Sequence, residues 1–321
     1  MKKTSYILVI ILLSIAGRSF AQMQFDGTIK NNSLAVSPDG KIAVASYSDS
    51  TQIKIYDLDK GSLKTTIKGF VNPRNILYSP DGKLLYITDS SLGYLMAYDA
   101  TTFQLIKKFP VGYGAFGTTI SDDGRRLFIN NEAASTVTVL NMANDKADTI
   151  ITGFHQPRQG VKLNPDNTKL YVTNFGNDHI TIVDVKTLKT EGEVEGFNKI
   201  RAISISKDGK TLYAANSGSS ELLVVDIASK KITHRIPVGK DNYGASLSPD
   251  EKFVLSGNKV DNTVSVVDVK TYKNIQTIKG FKEPRQAIVF SKDGNFFYVL
   301  NNDLSVDKVS MGNYKIIQSV K

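Results

Sequence analysis

Short apolar runs alternate with polar turn sequences along the whole chain, and the turn sequences recur at a nearly constant interval. They begin at Ser37, Ser79, Ser121, Asn164, Ser206, Ser248 and Ser291, and read SPDG, SPDG, SDDG, NPDN, SKDG, SPDE and SKDG. The intervals between them are 42, 42, 43, 42, 42 and 43 residues. A period this constant indicates that the chain is built from seven copies of one structural unit.

Each unit predicts four β-strands, which we name A to D in chain order. Proline at the second turn position and glycine at the fourth suit a type I turn between strands A and B. In the fourth unit, the apolar and β-branched residues of Leu170 to Thr173 favour a buried strand B, and Ile180 to Val183 form strand C. Four-stranded units of this length are typical of propeller blades. The predicted fold is all-β, a seven-bladed β-propeller with four antiparallel strands in each blade.

An Asp or Asn residue ends strand C in six of the units. These residues are Asp57, Asp99, Asn141, Asp184, Asp226 and Asp268. Each begins a turn such as DVKTLK, and Asx side chains start such turns by bonding nearby backbone groups. We therefore interpret the series as structural.

The chain resembles the YVTN-repeat family of seven-bladed β-propellers, which includes the YncE-like exported bacterial proteins. The YVTN string itself begins at Tyr171, and LYITD at Leu85, LFINN at Leu127 and LYAAN at Leu212 are variants of it. The resemblance implies the propeller fold for the whole chain after its leader. It does not imply an activity, because family members and the similar lactonases and amine dehydrogenase subunits share blades while binding different molecules.

Residues 1–21 have the features of a secretory signal peptide. Lys2 and Lys3 precede the apolar run Tyr6 to Ile15, and small residues stand before a predicted cleavage site after Ala21. The apolar run is too short for a transmembrane helix of about 20 residues, so we expect no membrane span after cleavage. Residues 22–321 are then a single propeller domain, in a protein that is periplasmic or secreted and expected to be monomeric.

Cysteine and tryptophan are both absent from the sequence. The lack of cysteine excludes disulfides, a thiol nucleophile, a thiolate metal site and covalent c-type haem. The lack of tryptophan excludes the tryptophan-derived cofactor of amine dehydrogenases. Loss of three basic residues with the leader lowers the formal charge from +9 to +6, a mild bias toward anionic partners. The sequence predicts no cofactor.

The two ends of the chain bear on how the ring closes. Lys315 to Val320 aligns with strand D of the earlier units, and Gln24 to Lys30 also resembles a strand D. We expect the N-terminal segment to pair with the last blade as an extra or substitute edge strand. The alternative is that it only leads into the first strand A.

The D-to-A and B-to-C loops of a propeller should meet on one face, around the mouth of the central channel. One residue per blade stands there, five or six positions before the turn: Asn32, Arg74, Phe116, Arg158, Arg201, Tyr243 and Arg285. Guanidinium groups match the geometry of carboxylate and phosphate, so the last six of these residues are predicted to bind an anionic ligand. In the alternative interpretation, each arginine pairs with a carboxylate of a neighbouring blade, such as Asp89 or Glu132, and ties the blades together.

A weaker hypothesis is a divalent metal site at Glu132, His155 and His179. The two histidines occupy loops of one unit that should share a face, and metal sites need such clustering. However, the spacing matches no established ligand motif, and loop histidines are most often solvated side chains.

Known catalytic motifs are absent or stand in the wrong context. Gly112 to Gly117, GYGAFG, matches the dinucleotide-binding fingerprint, but that motif needs a following helix and a strand follows here. No G-x-S-x-G, HExxH or P-loop sequence is present.

These observations favour a non-catalytic binding or scaffold propeller that recognises a protein, peptide or anionic ligand at the channel mouth. The first alternative is a metal-assisted, lactonase-like hydrolase that uses the glutamate and histidines named above. A further alternative is nucleic-acid binding. The net positive charge supports it, but the clustered basic and aromatic stripe that such binding needs is missing.

Overall fold

The computed structural model describes residues 29–321, which form seven four-stranded antiparallel sheets and contain no helix. The predicted seven-bladed, all-β propeller is therefore confirmed. The predicted signal peptide lies outside the described residues. No segment of residues 29–321 forms a helix of the length and apolarity that crossing a bilayer requires.

Each blade is made of four strands that follow one another along the chain, and the sheet order follows the chain order. The innermost strand of each blade comes first and the outermost comes last. The strands are β1 (Asn32–Val36), β2 (Ile42–Tyr47), β3 (Gln52–Asp57), β4 (Ser62–Lys68), β5 (Pro73–Tyr78), β6 (Leu84–Asp89), β7 (Tyr94–Asp99), β8 (Leu105–Pro110), β9 (Ala115–Ile120), β10 (Arg126–Asn131), β11 (Thr136–Asn141), β12 (Lys146–Ile151), β13 (Pro157–Leu163), β14 (Lys169–Asn174), β15 (His179–Asp184), β16 (Thr190–Val194), β17 (Ile200–Ile205), β18 (Thr211–Asn216), β19 (Glu221–Asp226), β20 (Lys231–Pro237), β21 (Ser246–Leu247), β22 (Phe253–Asn258), β23 (Thr263–Asp268), β24 (Lys273–Lys279), β25 (Ile288–Phe290), β26 (Phe296–Leu300), β27 (Val306–Ser310) and β28 (Ile316–Val320).

The recurring turn sequence joins the first and second strands of each blade, as predicted. In blade one, Ser37 Oγ donates to Asp39 Oδ1 at 2.5 Å and accepts from the backbone N–H of Ile42 at 2.9 Å. Gly40 stands at the fourth turn position with φ of +74°, where a side chain would be strained. The same pair of serine bonds recurs in the other five serine-containing turns. The recurring turn sequence therefore encodes the same local hydrogen bonds in each of these blades.

The Asp and Asn residues that end the third strand have the structural role predicted for them. Asp99 Oδ1 accepts from the backbone N–H groups of Thr101 at 2.9 Å and Thr102 at 2.7 Å. Asp184 Oδ1 accepts from Thr187 N at 2.7 Å. The bonds reach the second or third residue onward and hold the turn into the outermost strand.

The first and last blades join through side chains in the described part of the ring. Leu34 and Tyr56 of blade one pack with Leu300 and Val306 of blade seven, and all four are buried. The Tyr56 hydroxyl also donates to the backbone carbonyl of Leu304 at 2.5 Å. This seam is built like the apolar interfaces between the other blades.

The expectation that an N-terminal segment substitutes for a strand of the last blade is wrong. β28 pairs with β27 and is itself the outermost strand of blade seven, so that position is already filled. Ile29 and Lys30 belong to no strand. The rest of the predicted extra edge, residues 24–28, lies outside the described residues.

Candidate functional site: the arginine end of the channel

The structure brings the predicted arginines and aromatic residues into contact around one mouth of the channel. The guanidinium carbon of Arg74 lies 4.6 Å from the ring centroid of Phe116. Those of Arg201 and Arg285 lie 4.4 and 5.0 Å from the ring of Tyr243. At these distances a cation is attracted to the face of an aromatic ring. The aromatic residues of blades three and six thus have a structural role that the sequence did not reveal.

Phe175 is a member of this ring that sequence reasoning missed. Its centroid lies 3.8 Å from the guanidinium carbon of Arg158 and 4.5 Å from that of Arg201. It directly follows the YVTN string, at a position occupied in neighbouring blades by Glu132 and Ser217. An aromatic residue where other blades have polar ones was the signal that could have identified it.

Arg74 and Arg285 are covered by the segment that enters the first blade. Their side chains are 0% and 3% exposed. Arg74 Nη1 donates to the carbonyl of Ile29, and Arg285 Nη1 donates to the carbonyl of Lys30 at 3.0 Å. On this side of the ring, the chain's own backbone occupies the mouth.

Arg158 pairs with Glu132 of the neighbouring blade, as expected if the arginines tie the blades together. Its Nη2 lies 3.6 Å from Oε1 of Glu132, whose side chain is only 4% exposed. Asp89, the other carboxylate considered, instead accepts from the backbone N–H of Val71 at 2.7 Å. The structural interpretation therefore describes Arg158 but does not extend to every arginine of the ring.

Arg201 differs from the other three because its guanidinium contacts neither a carboxylate nor a backbone carbonyl within residues 29–321. Its Nε donates to the hydroxyl of Ser217 at 3.1 Å, and the side chain lies between the faces of Phe175 and Tyr243. Burial lowers the pKa of Arg201, and electrostatic interactions with Tyr243 and Asp241 partly oppose that shift. A cavity of about 30 Å³ lies beside it. Within the ring, Arg201 is therefore held by aromatic faces and one hydroxyl group.

A network of amide side chains closes the channel just below the arginines. Asn31 Nδ2 donates to the carbonyl of Arg74 at 2.5 Å and to Gln159 Oε1 at 3.2 Å, while its Oδ1 accepts from Gln286 Nε2. Gln159 Nε2 donates to Asn75 Oδ1 at 2.6 Å. Blades one, two, four and seven are thereby joined across the lumen.

The histidines of the metal hypothesis share a face, as predicted. The rings of His155 and His179 are 6.0 Å apart. His179 Nε2 is 3.1 Å from Thr181 Oγ1 and 3.4 Å from Glu193 Oε1, and burial lowers the pKa of His179. Glu132 lies with Arg158 rather than with the histidines. No group of three or more His, Asp or Glu residues in the described chain is arranged to hold a metal ion.

The last residue of the YVTN string ties a loop to a strand. Asn174 Oδ1 accepts from the backbone N–H of His155 at 2.7 Å. Asn216, its equivalent in the next blade, accepts from Asn198 N at 2.5 Å. In both blades the bond joins the loop that enters the blade to the end of its second strand. These asparagines therefore shape the mouth rather than offer ligands.

The GYGAFG segment has the context expected from its sequence. Gly112 and Gly114 have φ of +88° and +84°, and β9 follows where a dinucleotide site would need a helix. Gly112 to Gly114 form a loop between blades, and Ala115 to Gly117 begin β9.

Two family models match parts of this chain. The model described as "Cytochrome D1 heme domain" matches residues 163–287, and the one described as "WD domain, G-beta repeat" matches residues 23–57. The central channel is lined by no histidine, cysteine or methionine among the described residues, and these are usual axial ligands of haem iron. The match covers less than half of the chain, and we read it as a likeness of blades.

Two curated relatives cover part of the chain. A 6-phosphogluconolactonase of Pectobacterium carotovorum subsp. carotovorum is 27% identical over 50% of this chain and 55% of its own length. Antigen Lp49 of Leptospira interrogans is 25% identical over 46% of this chain and 37% of its own length. The chain thus spans about half, or less, of the length of these relatives.

A solved structure supports the architecture over nearly the whole chain. Hydrazine synthase of Kuenenia stuttgartiensis superimposes with a TM-score of 0.78 and 17% identity, covering 88% of this chain and 95% of that one. At this identity the likeness concerns the fold alone. The comparisons are compatible with the YVTN resemblance without establishing it, and the protein is a seven-bladed β-propeller similar to WD40 and cytochrome D1 domains.

Proposed function

We propose that the protein is an exported, non-catalytic binding propeller that recognises an acidic group of a protein or peptide at the arginine end of the channel. One observation carries the proposal. Arg201 is held between two aromatic faces beside a cavity, while its three equivalents already contact a carboxylate or backbone carbonyls.

The chemistry of the ring favours a ligand rich in carboxylate or carbonyl oxygens. A guanidinium stacked on aromatic faces keeps its in-plane N–H groups available for a carboxylate, which accepts two parallel bonds from it. Arg74 and Arg285 each donate a single bond of this kind to a backbone carbonyl. Burial disfavours the charged form of Arg201, so an anion beside its guanidinium would offset part of that desolvation cost.

The proposal is tested with fluorescein-labelled tetraglutamate, followed by fluorescence anisotropy. The wild-type protein should bind it at about 20 mM salt and lose affinity at about 200 mM, because salt screens exposed charges. Arg201→Gln should weaken binding by at least about tenfold, the scale expected for a charge-assisted bond. Arg125→Gln is the matched control, since Arg125 is an exposed arginine outside the ring. Equal affinities for wild type and Arg201→Gln would contradict the proposal.

Export is a separate part of the proposal and rests on the leader sequence. The mature protein should begin at Gln22, and mass spectrometry of the protein from an envelope fraction measures this directly. A full-length chain recovered only from the cytoplasm would contradict export.

A hydrolase remains the second candidate because one relative is named 6-phosphogluconolactonase. Hydrolysis of 6-phosphogluconolactone should then exceed the uncatalysed rate, respond to added divalent metal and fall in the His179→Ala variant. A rate equal to the background with and without metal would contradict it.

A further inference from the structure

The channel below the amide network is a blind pocket of about 690 Å³. Asn31, Gln159 and Gln286 close it at the arginine end. Pro249 and Glu251, in the turn of blade six, line its other end. This volume is in the range of sites that hold a small organic molecule.

One position of the repeat gives the pocket two unlike sides. It stands two residues before each turn and is occupied by Ala35, Leu77, Thr119, Lys162, Ser204, Ser246 and Val289. All but Thr119 line the pocket. The residues are apolar in blades seven, one and two, and Lys162 is the only charged residue of the seven.

Lys162 is a cation without an anion. Among residues 29–321, the ammonium group of Lys162 has no carboxylate within 4.0 Å and no hydrogen-bond acceptor. The surrounding protein desolvates the group and lowers the pKa of Lys162, with no opposing charge to compensate. The residue is nevertheless solvent-accessible, so its ammonium group is open to the lumen rather than enclosed by protein. An anion in the lumen can therefore reach this unpaired ammonium group and offset the cost of its desolvation.

The ring order places an apolar surface opposite that cation. In a ring of seven, blade four faces blades seven and one, and the bond between Asn31 and Gln159 shows that side chains of these blades meet across the lumen. Ala35 and Val289 belong to the facing blades. Ser204 lies beside Lys162 in the adjacent blade five.

We propose that the channel binds a small monocarboxylate with an apolar tail. The carboxylate would lie at Lys162, beside Ser204, and the tail would pack against Ala35, Leu77 and Val289. This site is separate from the proposed ligand site at Arg201, because the amide network lies between them. Either proposal can fail without the other.

The test is isothermal titration calorimetry with hexanoate, acetate and hexan-1-ol as probes. Wild-type protein should bind hexanoate at least about tenfold more tightly than either other probe, since acetate lacks the tail and hexanol lacks the charge. Lys162→Met, which keeps the length of the side chain and removes its charge, should weaken hexanoate binding by at least about tenfold. Lys186→Met is the matched control, because Lys186 is an exposed lysine of the same blade, and it should bind as wild type does.

The melting temperature of each variant is measured first, and Lys162→Gln replaces Lys162→Met if the latter does not fold. The proposal is overturned if wild type binds no hexanoate, or if the neutral variant binds it equally well. Acetate that binds as tightly as hexanoate would also overturn it, because the apolar wall would then have no part in recognition.

Discussion

Arg74 and Arg201 occupy the same position in blades two and five, yet their outer surroundings differ. Both donate from Nε to a serine hydroxyl, Ser90 for one and Ser217 for the other, and both lie over an aromatic ring. Beyond that shared anchor, Arg74 is fully buried and donates to the carbonyl of Ile29, whereas Arg201 lies beside a cavity.

The repeat determines the direction of an arginine side chain but not the partner of its guanidinium group. The repeat sets the direction of these two arginines through a serine of the same blade and an aromatic residue of the next. The partner of the guanidinium comes from elsewhere in the chain, so equivalent arginines have different partners in different blades. Substitutions at the two arginines should therefore have opposite consequences for stability and binding.

The largest expected effect is on the covered side. Arg74→Met should lower the free energy of unfolding by about 3 kcal/mol, because it removes charge-assisted bonds to Ser90 and Ile29 from a buried site. Chemical denaturation measures the change. The exposed Arg125→Met serves as control and should change stability by less than about 0.5 kcal/mol. If both variants lost the same free energy of unfolding, burial of Arg74 would not be what stabilises the ring.

A smaller loss is expected when the covering segment is removed. A chain that begins at Asn31 lacks the carbonyls of Ile29 and Lys30, which accept from Arg74 and Arg285. Water can replace these acceptors once the site is open, so we expect a loss of about 1 to 2 kcal/mol in the free energy of unfolding. A chain that begins at Gln22 is the control. Equal stability of the two would show that the carbonyls do not stabilise the ring.

Acid should lower the stability of the turns at the end of the channel opposite the arginines. The difference in stability between the arginine variants should not depend on pH. The Ser248 hydroxyl, the first of several causes, lowers the pKa of Asp250 to about 2, and similar bonds lower the pKa of Asp39 and Asp208. These depressed values stabilise the fold above about pH 4, and that stabilisation is lost as pH falls toward 2. Melting temperatures at several pH values measure the slope, which Asp250→Asn should reduce. Arg74→Met should leave it unaltered because guanidinium does not titrate there.

The smallest effect on stability belongs to the accessible side of the ring. Arg201→Gln loses only the bond to Ser217 and the stacking on Phe175 and Tyr243, so the free energy of unfolding should fall by less than about 1.5 kcal/mol. Chemical denaturation alongside Arg74→Met tests this. A loss as large as that of Arg74→Met would identify Arg201 as a structural tie.

The fold could be predicted from the sequence because its signals are local. The turn from Ser37 to Gly40 closes by bonds within six residues, and Asp99 caps its own turn. The candidate site could be predicted only in part. The periodic positions gave the arginine ring, but the carbonyl partners of Arg74 and Arg285 lie 45 and 255 positions away in the chain. No local pattern encodes such contacts.

Two residues that were missed could have been found by comparing blades position by position. Phe175 and Lys162 each differ in chemical type from their equivalents in the other blades. In a repeat protein, shared residues build the unit, and an exceptional residue marks a position whose surroundings differ between units. Searching for the repeat finds the residues that the units share, and it overlooks residues such as Phe175 and Lys162 that differ between units.

The most direct test of the central claim, that Arg201 receives an acidic ligand, is a nuclear magnetic resonance titration of the arginine side chains. Tetraglutamate should shift the Nε–H resonance of Arg201 progressively to saturation, because binding at its guanidinium alters the adjacent bond to Ser217. The resonances of Arg74 and Arg125 should stay in place. A titration in which Arg201 does not move, or moves no more than Arg125, would contradict the account.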